Sequence, residues 1–367
     1  MRPVKKQYKD SITTRQLALL AFTGLFSPLI WLLPHTASQI AGAAAIFSPF
    51  FALLPLLLLG GIARGLFKGR RDGEGLADII IRCLGKPLGK FICLLYLFWI
   101  IFYAAVSLRS SSERFLSTIF PGGALWIFMS VTLLLAFIGA FGRVRSLAGS
   151  SQIFFRMILM VLAAVFLFTL PRISSFNLLP YTYKNIPLSA LGGLAVANAV
   201  SPAFYILFLA EKVKDPNPSK KAPFILSGIM LLISFLMMLA IIGNFGAEFT
   251  NTMQNPFFTM IRNISFFNVV ERVEAVIVAM WVLSDFVFLS SLLIISKTLS
   301  GVVFPIKRKT IPLVISAVAV FILGMEIESS AFSFAKVAGV ICPIINAVMS
   351  FLLPTLIFFA GKLRKKL

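Results

Sequence analysis

Histidine occurs once in the 367 residues and cysteine three times. Cys83, Cys93 and Cys342 are far apart and form no Cys-x-x-Cys pair, which argues against a disulfide framework or a metal site. His35 follows Pro34 at the end of an apolar run and has no Cys, Ser or Asp partner in sequence, so it reads as an interfacial residue rather than a ligand. No phosphate-binding Gly-Lys loop is present, and the small-residue stretch GGLAVANAVSP opens no strand–helix unit. No catalytic residue, cofactor or metal is therefore expected, and the chain does not read as an enzyme. Charge is also scarce. Only 13% of residues are charged, about half the share of a soluble domain.

Apolar residues fill the gap. The chain is 59% hydrophobic, with 38 Phe and a mean hydropathy of +0.96. Apolar runs of about 20 residues recur along it, the length of a membrane-spanning helix. The pattern predicts an all-α polytopic membrane protein with ten transmembrane helices, at 16–40, 43–66, 88–112, 124–141, 152–170, 187–210, 223–245, 269–296, 311–325 and 337–361. No short apolar region with a small-residue cleavage site precedes them, so no removable signal peptide is expected.

The formal net charge of +21 does not point to nucleic acid. With the N-terminus inside, nearly all Lys and Arg fall in cytoplasmic segments. Only Arg109, Arg114, Arg172, Lys184, Arg262, Arg272 and Lys336 are placed outside. That asymmetry is the positive-inside signal, with both termini cytoplasmic.

Two spans carry the same interruption. Span one contains GLFSPLIWLL and span six NAVSPAFYIL. Pro28 and Pro202 each lack a backbone donor and crowd the preceding turn. Gly24 and the Gly192-Gly193 pair weaken the same helices further. With ten spans, span six starts from the face opposite span one. The matched breaks then imply a five-plus-five inverted repeat, with broken helices meeting near mid-depth. Backbone groups freed there suit a small zwitterion. Thr23, Gly24, Ser27, Asn198, Ala199 and Ser201 are the candidate liners, with Phe26, Phe204 and Tyr205 as walls. Ser and Thr in such helices also bond back to their own backbone, which is the structural alternative.

Three further stretches stand out. GEGLADIIIRCLGKPLGK is amphipathic, with Leu76, Ile79, Ile80 and Leu84 at helical spacing and Gly85 as a stop, and is expected to lie along the inner interface. The loop NFGAEFTNTMQNPFFTMIRNISFFN is aromatic and nearly uncharged, which predicts an element folded onto the outer mouth. In ERVEAVIVAMW, Glu271 and Glu274 share a helix face, and Arg262 and Arg272 neutralise them in an expected structural clamp.

The same residues carry a family resemblance. NPFFTMIRNISFFNVVERVEAVIVAMW, ITTRQLALLAFTGLFSPLIWLLP and LADIIIRCLGKPLGK resemble the GerAB-type B subunits of spore germinant receptors, and the resemblance runs through the whole chain. That family lies in the amino acid/polyamine/organocation transporter superfamily, whose LeuT-like fold is the five-plus-five inverted repeat with broken helices one and six. The resemblance implies one transporter-like membrane domain over 16–361 (repeats 16–170 and 187–361) between a cytoplasmic segment 1–15 and a basic tail 362–367. It implies a nutrient sensor in the spore inner membrane that binds a small germinant such as an amino acid. An A subunit and a lipoprotein C subunit would be its partners. A secondary amino acid transporter of the same superfamily is the alternative. Depth arithmetic adds one pairing. Asp285 lies about 21 Å into span eight from Glu271 and Arg156 about 6 Å into span five from the inside. The resemblance brings those spans together with span one, so Asp285 is expected to pair with Arg156, with Ser284 or Ser291 nearby.

Overall fold

The computed structural model describes residues 10–367 apart from 69, 72, 179–184, 215–220, 254, 264–272, 307, 309 and 328–330. Among the described residues, seven helical stretches are long and apolar enough to cross a bilayer, and three shorter apolar helices accompany them.

Local chemistry sets the helix starts. α1 (Thr14–Ala41) is opened by Thr13, whose hydroxyl accepts from the Gln16 N–H while the Gln16 side chain accepts from the Thr13 N–H. This reciprocal cap satisfies two of the first-turn donors. A short 3₁₀ turn (Gly42–Phe47) leads into α2 (Ser48–Leu66), which carries Pro49 in its first turn. α3 (Leu76–Leu84) is the expected amphipathic helix. Asp78 accepts from the Gly75 N–H at its start, and Gly85 ends it at φ +88°. It packs on α4 (Lys86–Thr118) and α15 (Leu353–Leu363), burying Leu76, Ile79 and Ile80.

α5 (Leu125–Phe141) and α6 (Val144–Thr169) complete the first half. Span six begins as α7 (Ile186–Val200) and changes at Ser201-Pro202 to a 3₁₀ helix (Ser201–Lys212). This is the position at which the sequence predicts an interruption. α8 (Ala222–Phe245) follows. The aromatic loop folds as expected, into α9 (Ala247–Thr252) and α10 (Pro256–Arg262), with Phe257, Phe258 and Ile261 buried. α11 (Val273–Val303) and α12 (Thr310–Glu326) precede the last span. That span runs through α13 (Ala331–Lys336), a π turn (Val337–Ile341), α14 (Cys342–Ala347), a second π turn (Val348–Leu352) and α15.

α1 and α11 form the centre. α1 packs on α6, α7, α8 and α11, and α11 on α1, α4, α5 and α12. Gly192 and Gly193 serve this packing. A Cβ at Gly193 would lie 2.6 Å from the Phe51 Cβ and 3.0 Å from the Ser48 carbonyl oxygen. The pair lets α7 lie directly on α2, beyond the helix weakening read from the sequence.

One face gathers the N-terminal segment, the α2–α3 connection, the end of span six and the C-terminus. Ile12 N–H donates to the Lys212 carbonyl at 3.0 Å, and Lys214 N–H donates to the Ile12 carbonyl at 3.1 Å. Arg70 donates to the Ala210 and Val213 carbonyls at 2.9 and 3.0 Å. Arg364 donates to the Leu84 carbonyl at 2.9 Å. Cationic donors thus satisfy carbonyls that helix ends leave open. Span one therefore starts where span six finishes, so the two run in opposite directions through the protein.

Candidate functional site

The crossing of α1 and α11 brings the first group of candidate residues together. Gly24 lies against Phe288, where an added Cβ would sit 3.3 Å from its Cα. Pro28 cannot donate to the carbonyl four residues back. At this point Ser284 enters the α1 ladder. Its hydroxyl accepts from the Ser27 N–H at 2.9 Å and donates to the Thr23 carbonyl at 2.7 Å. The expected interruption of span one is therefore an inserted hydroxyl, and α1 stays helical from Thr14 to Ala41. Thr23 Oγ1 donates across to the Ser151 carbonyl on α6. Ser27 Oγ is buried and has no hydrogen-bond partner among the described residues.

Asp285, the next residue on α11, is 6% exposed. It accepts from Arg114 Nη2 at 2.7 Å and from Ser111 Oγ at 2.5 Å. Its partner is thus Arg114 on α4. Arg156, the partner expected from depth, is exposed on α6. The charge pattern places Arg109 and Arg114 outside, at and just beyond the end of a span read as 88–112. The helix continues to Thr118 and carries both inward, to 4% and 5% exposure. Arg109 pairs with Glu113 at 2.8 Å and donates to the Gly324 and Met325 carbonyls at the end of α12. The buried charges of this region therefore cancel in two pairs. The Arg114 guanidinium also lies 5.3 Å from the Trp281 ring centre, a favourable cation–π placement.

A cavity of about 60 Å³ adjoins the Arg114–Asp285 pair. It is lined by Pro28 of α1, by Tyr103, Ser107, Ser110 and Arg114 of α4, and by Asp285 of α11. Cys342 and Ala338 of the last span close its other side. It has room for a few waters or a small polar head group.

The span-six candidates form a second group. Tyr205 OH accepts from Trp99 Nε1 at 2.7 Å and donates to Asn346 Oδ1 at 2.6 Å. Asn346 Nδ2 donates to Asn198 Oδ1 at 2.6 Å and to Ser201 Oγ at 2.8 Å. Asn198 Nδ2 donates to the Pro343 carbonyl at 2.7 Å. Tyr96 OH donates to the Met349 carbonyl within the second π turn. Asn198, Ser201 and Tyr205 thus join span six to α4 and the last span, through partners the sequence did not single out. Ala199 is half-buried, whereas Phe204 and Phe26 are buried in the apolar core. Tyr103 links the two groups, edge-on to both Tyr205 and Phe288.

The ERVEAV clamp is only partly visible. Glu271 and Arg272 lie outside the described residues. Arg262 is exposed and Glu274 half-buried, with no ion pair to either among the described residues.

A family profile described as "Spore germination protein" matches residues 11–333. No curated protein matches the chain significantly. Solved structures match it throughout. MhsT in complex with L-phenylalanine has a TM-score of 0.67 at 15% identity, covering 96% of this chain and 88% of that one. A nucleobase-cation-symport-1 family transporter with bromovinylhydantoin bound gives 0.65 at 12% identity, covering 96% and 78%. A Na⁺-coupled sialic acid symporter gives 0.66 at 11% identity, covering 94% and 78%. At these identities the likeness is one of fold, the LeuT-type transporter fold.

Proposed function

The chain belongs to the spore germination protein family, and from that premise we propose that it is the nutrient-sensing B subunit of a spore germinant receptor. It binds a small germinant, an amino acid by our reading, and does no covalent chemistry. The observation that carries the reading is the cavity at the α1–α4–α11 crossing with the Arg114–Asp285 pair in its wall. Charged side chains within membrane-spanning helices are costly, and they concentrate where a ligand or ion is handled. The ligand sits against Pro28 on the α1 side, within about a turn and a half of Thr23, Gly24 and Ser27. Asn198, Ala199, Ser201 and Tyr205 belong to the span-six frame that moves with it. Binding shifts the balance between conformers, and partner subunits read the shift. Those partners are an A subunit and a lipoprotein C subunit. The location is the spore inner membrane, with the basic face toward the cytoplasm.

Secondary transport is the second reading, favoured by the similar structures, which include two transporters. One comparison separates the two. The chain, purified alone in lipid vesicles, is expected to bind an amino acid without concentrating it, and to co-purify with A- and C-type subunits when these are co-expressed. Ion-driven accumulation by the chain alone, with no such association, would favour transport.

A further inference from the structure

We propose that the Arg114–Asp285 pair is a latch between α4 and α11 that a zwitterionic ligand opens by substitution. The inference rests on the nutrient-binding reading and specifies which groups recognise the ligand. Three observations carry it. Both charges are buried, and both line the cavity. The pair is a direct link between α4 and α11, at 2.7 Å. The backbone of α1 offers little in competition at its proline, because the Ser27 N–H is already taken by Ser284.

Charge balance then selects the ligand. A carboxylate entering alone would take Arg114 and leave Asp285 buried without its cation. A lone ammonium would do the reverse. Buried unpaired charge is strongly disfavoured. A ligand bearing both groups replaces one internal pair by two, its carboxylate on Arg114 and its ammonium on Asp285, and the site stays neutral. Ser111, which donates to Asp285 in the closed pair, keeps that carboxylate oriented during the exchange. The remainder of a small ligand would lie toward Tyr103 and Ser107. Substitution also supplies the signal: with the ligand between them, α4 and α11 are no longer held by a direct ion pair.

The test uses the full chain in lipid nanodiscs. Equilibrium affinities are measured for the natural L-amino acids, for the amine and carboxylic acid analogues of the tightest binder, and for inosine and glucose. The tightest amino acid is expected to bind at least about a hundred-fold better than either analogue, the scale expected when one partner of a buried charge pair is removed. The charge-swapped chain, Arg114→Asp with Asp285→Arg, retains an internal pair. It is expected to unfold near the temperature of the unaltered chain and to bind the tightest amino acid at least about ten-fold more weakly, because Ser111 then faces a guanidinium in place of the carboxylate it orients. Should the swapped chain fail to fold, the analogue series decides alone. Analogues that bind as well as the amino acid, or a folded swapped chain that binds it unchanged, would overturn the latch and leave nutrient binding intact. Binding of inosine or glucose but no amino acid would do the same. Binding of none of the probes would overturn the nutrient-binding reading as well.

Discussion

Ser284 occupies a place that the backbone of α1 would otherwise fill for itself. In an uninterrupted helix the Ser27 N–H would donate to the Thr23 carbonyl; here the hydroxyl of α11 stands between them. Two consequences differ in size. Ser284→Ala deletes both bonds, but the ladder can then close directly, so the stability loss is expected to be about 1 kcal/mol, in line with hydrogen bonds between membrane helices. Thermal unfolding in detergent measures it. A loss above about 3 kcal/mol would show that Pro28 keeps the ladder open, leaving two buried groups unsatisfied. Nutrient response is expected to fall more sharply than stability, because α1 then loses its tie to the helix that carries Asp285. At this scale the sequence was informative about kind and weak about partner. Asp285 was legible as a buried charge in need of a cation. Arg114 was not legible as that cation, because RSSSER reads as the polar end of a span. Its charges are affordable inside only because Asp285 and Glu113 oppose them.

Helix–helix distance is decided by atoms too small to register in hydropathy. The sequence shows Gly192-Gly193 in a span and suggests a weak helix; α2 supplies the reason for both. At Gly192 the nearest obstacle to a Cβ is the Ser48 Oγ at 2.3 Å, with the Ser48 Cβ at 3.2 Å. At Gly193 the obstacles are the Phe51 Cβ and backbone atoms of Ser48 and Ala52, none of which can rotate away. Gly193→Ala is therefore expected to separate α7 from α2 and to destabilise by about 1–3 kcal/mol, as overpacking does. Gly192→Ala alone should cost less, and most of that loss should be recovered in the double variant Ser48→Ala, Gly192→Ala. A double-mutant cycle on thermal stability reads the recovery. Additive losses would mean that the hydroxyl is not what Gly192 avoids. Spans and their order were legible because apolar length is written directly in composition. The 3₁₀ continuation of span six and the two π turns of the last span were not. Long-range bonds flank or enter them, Asn198 to Pro343 and Tyr96 to Met349, and these join residues far apart in sequence.

Across the whole molecule, the basic face is tied shut while the cavity lies deeper. Ile12 is laid beside Val213, and Arg70 holds the carbonyls of Ala210 and Val213 at the end of span six. A conformer in which span six swings away from this face has to release those ties, since they hold its last turn. Arg70→Ala removes two charge-assisted bonds from a half-buried side chain. Such bonds contribute about 1.5–3 kcal/mol where they are protected, and solvent screening places Arg70 near the lower figure. A shift of about 1.4 kcal/mol is tenfold in population. The native thiol of Cys342 reports it, because it lines the cavity and is only 4% exposed. With Cys83 and Cys93 replaced by Ser, a membrane-impermeant thiol reagent applied to the basic face is expected to label Cys342 about tenfold faster in Arg70→Ala. Reagent on the opposite face should label it no faster. Equal acceleration from both faces would indicate general loosening and not release of span six. If labelling speeds up and vesicles still accumulate no amino acid, the opened face belongs to a sensor's conformational cycle; if uptake rises with it, the same motion completes a transport cycle.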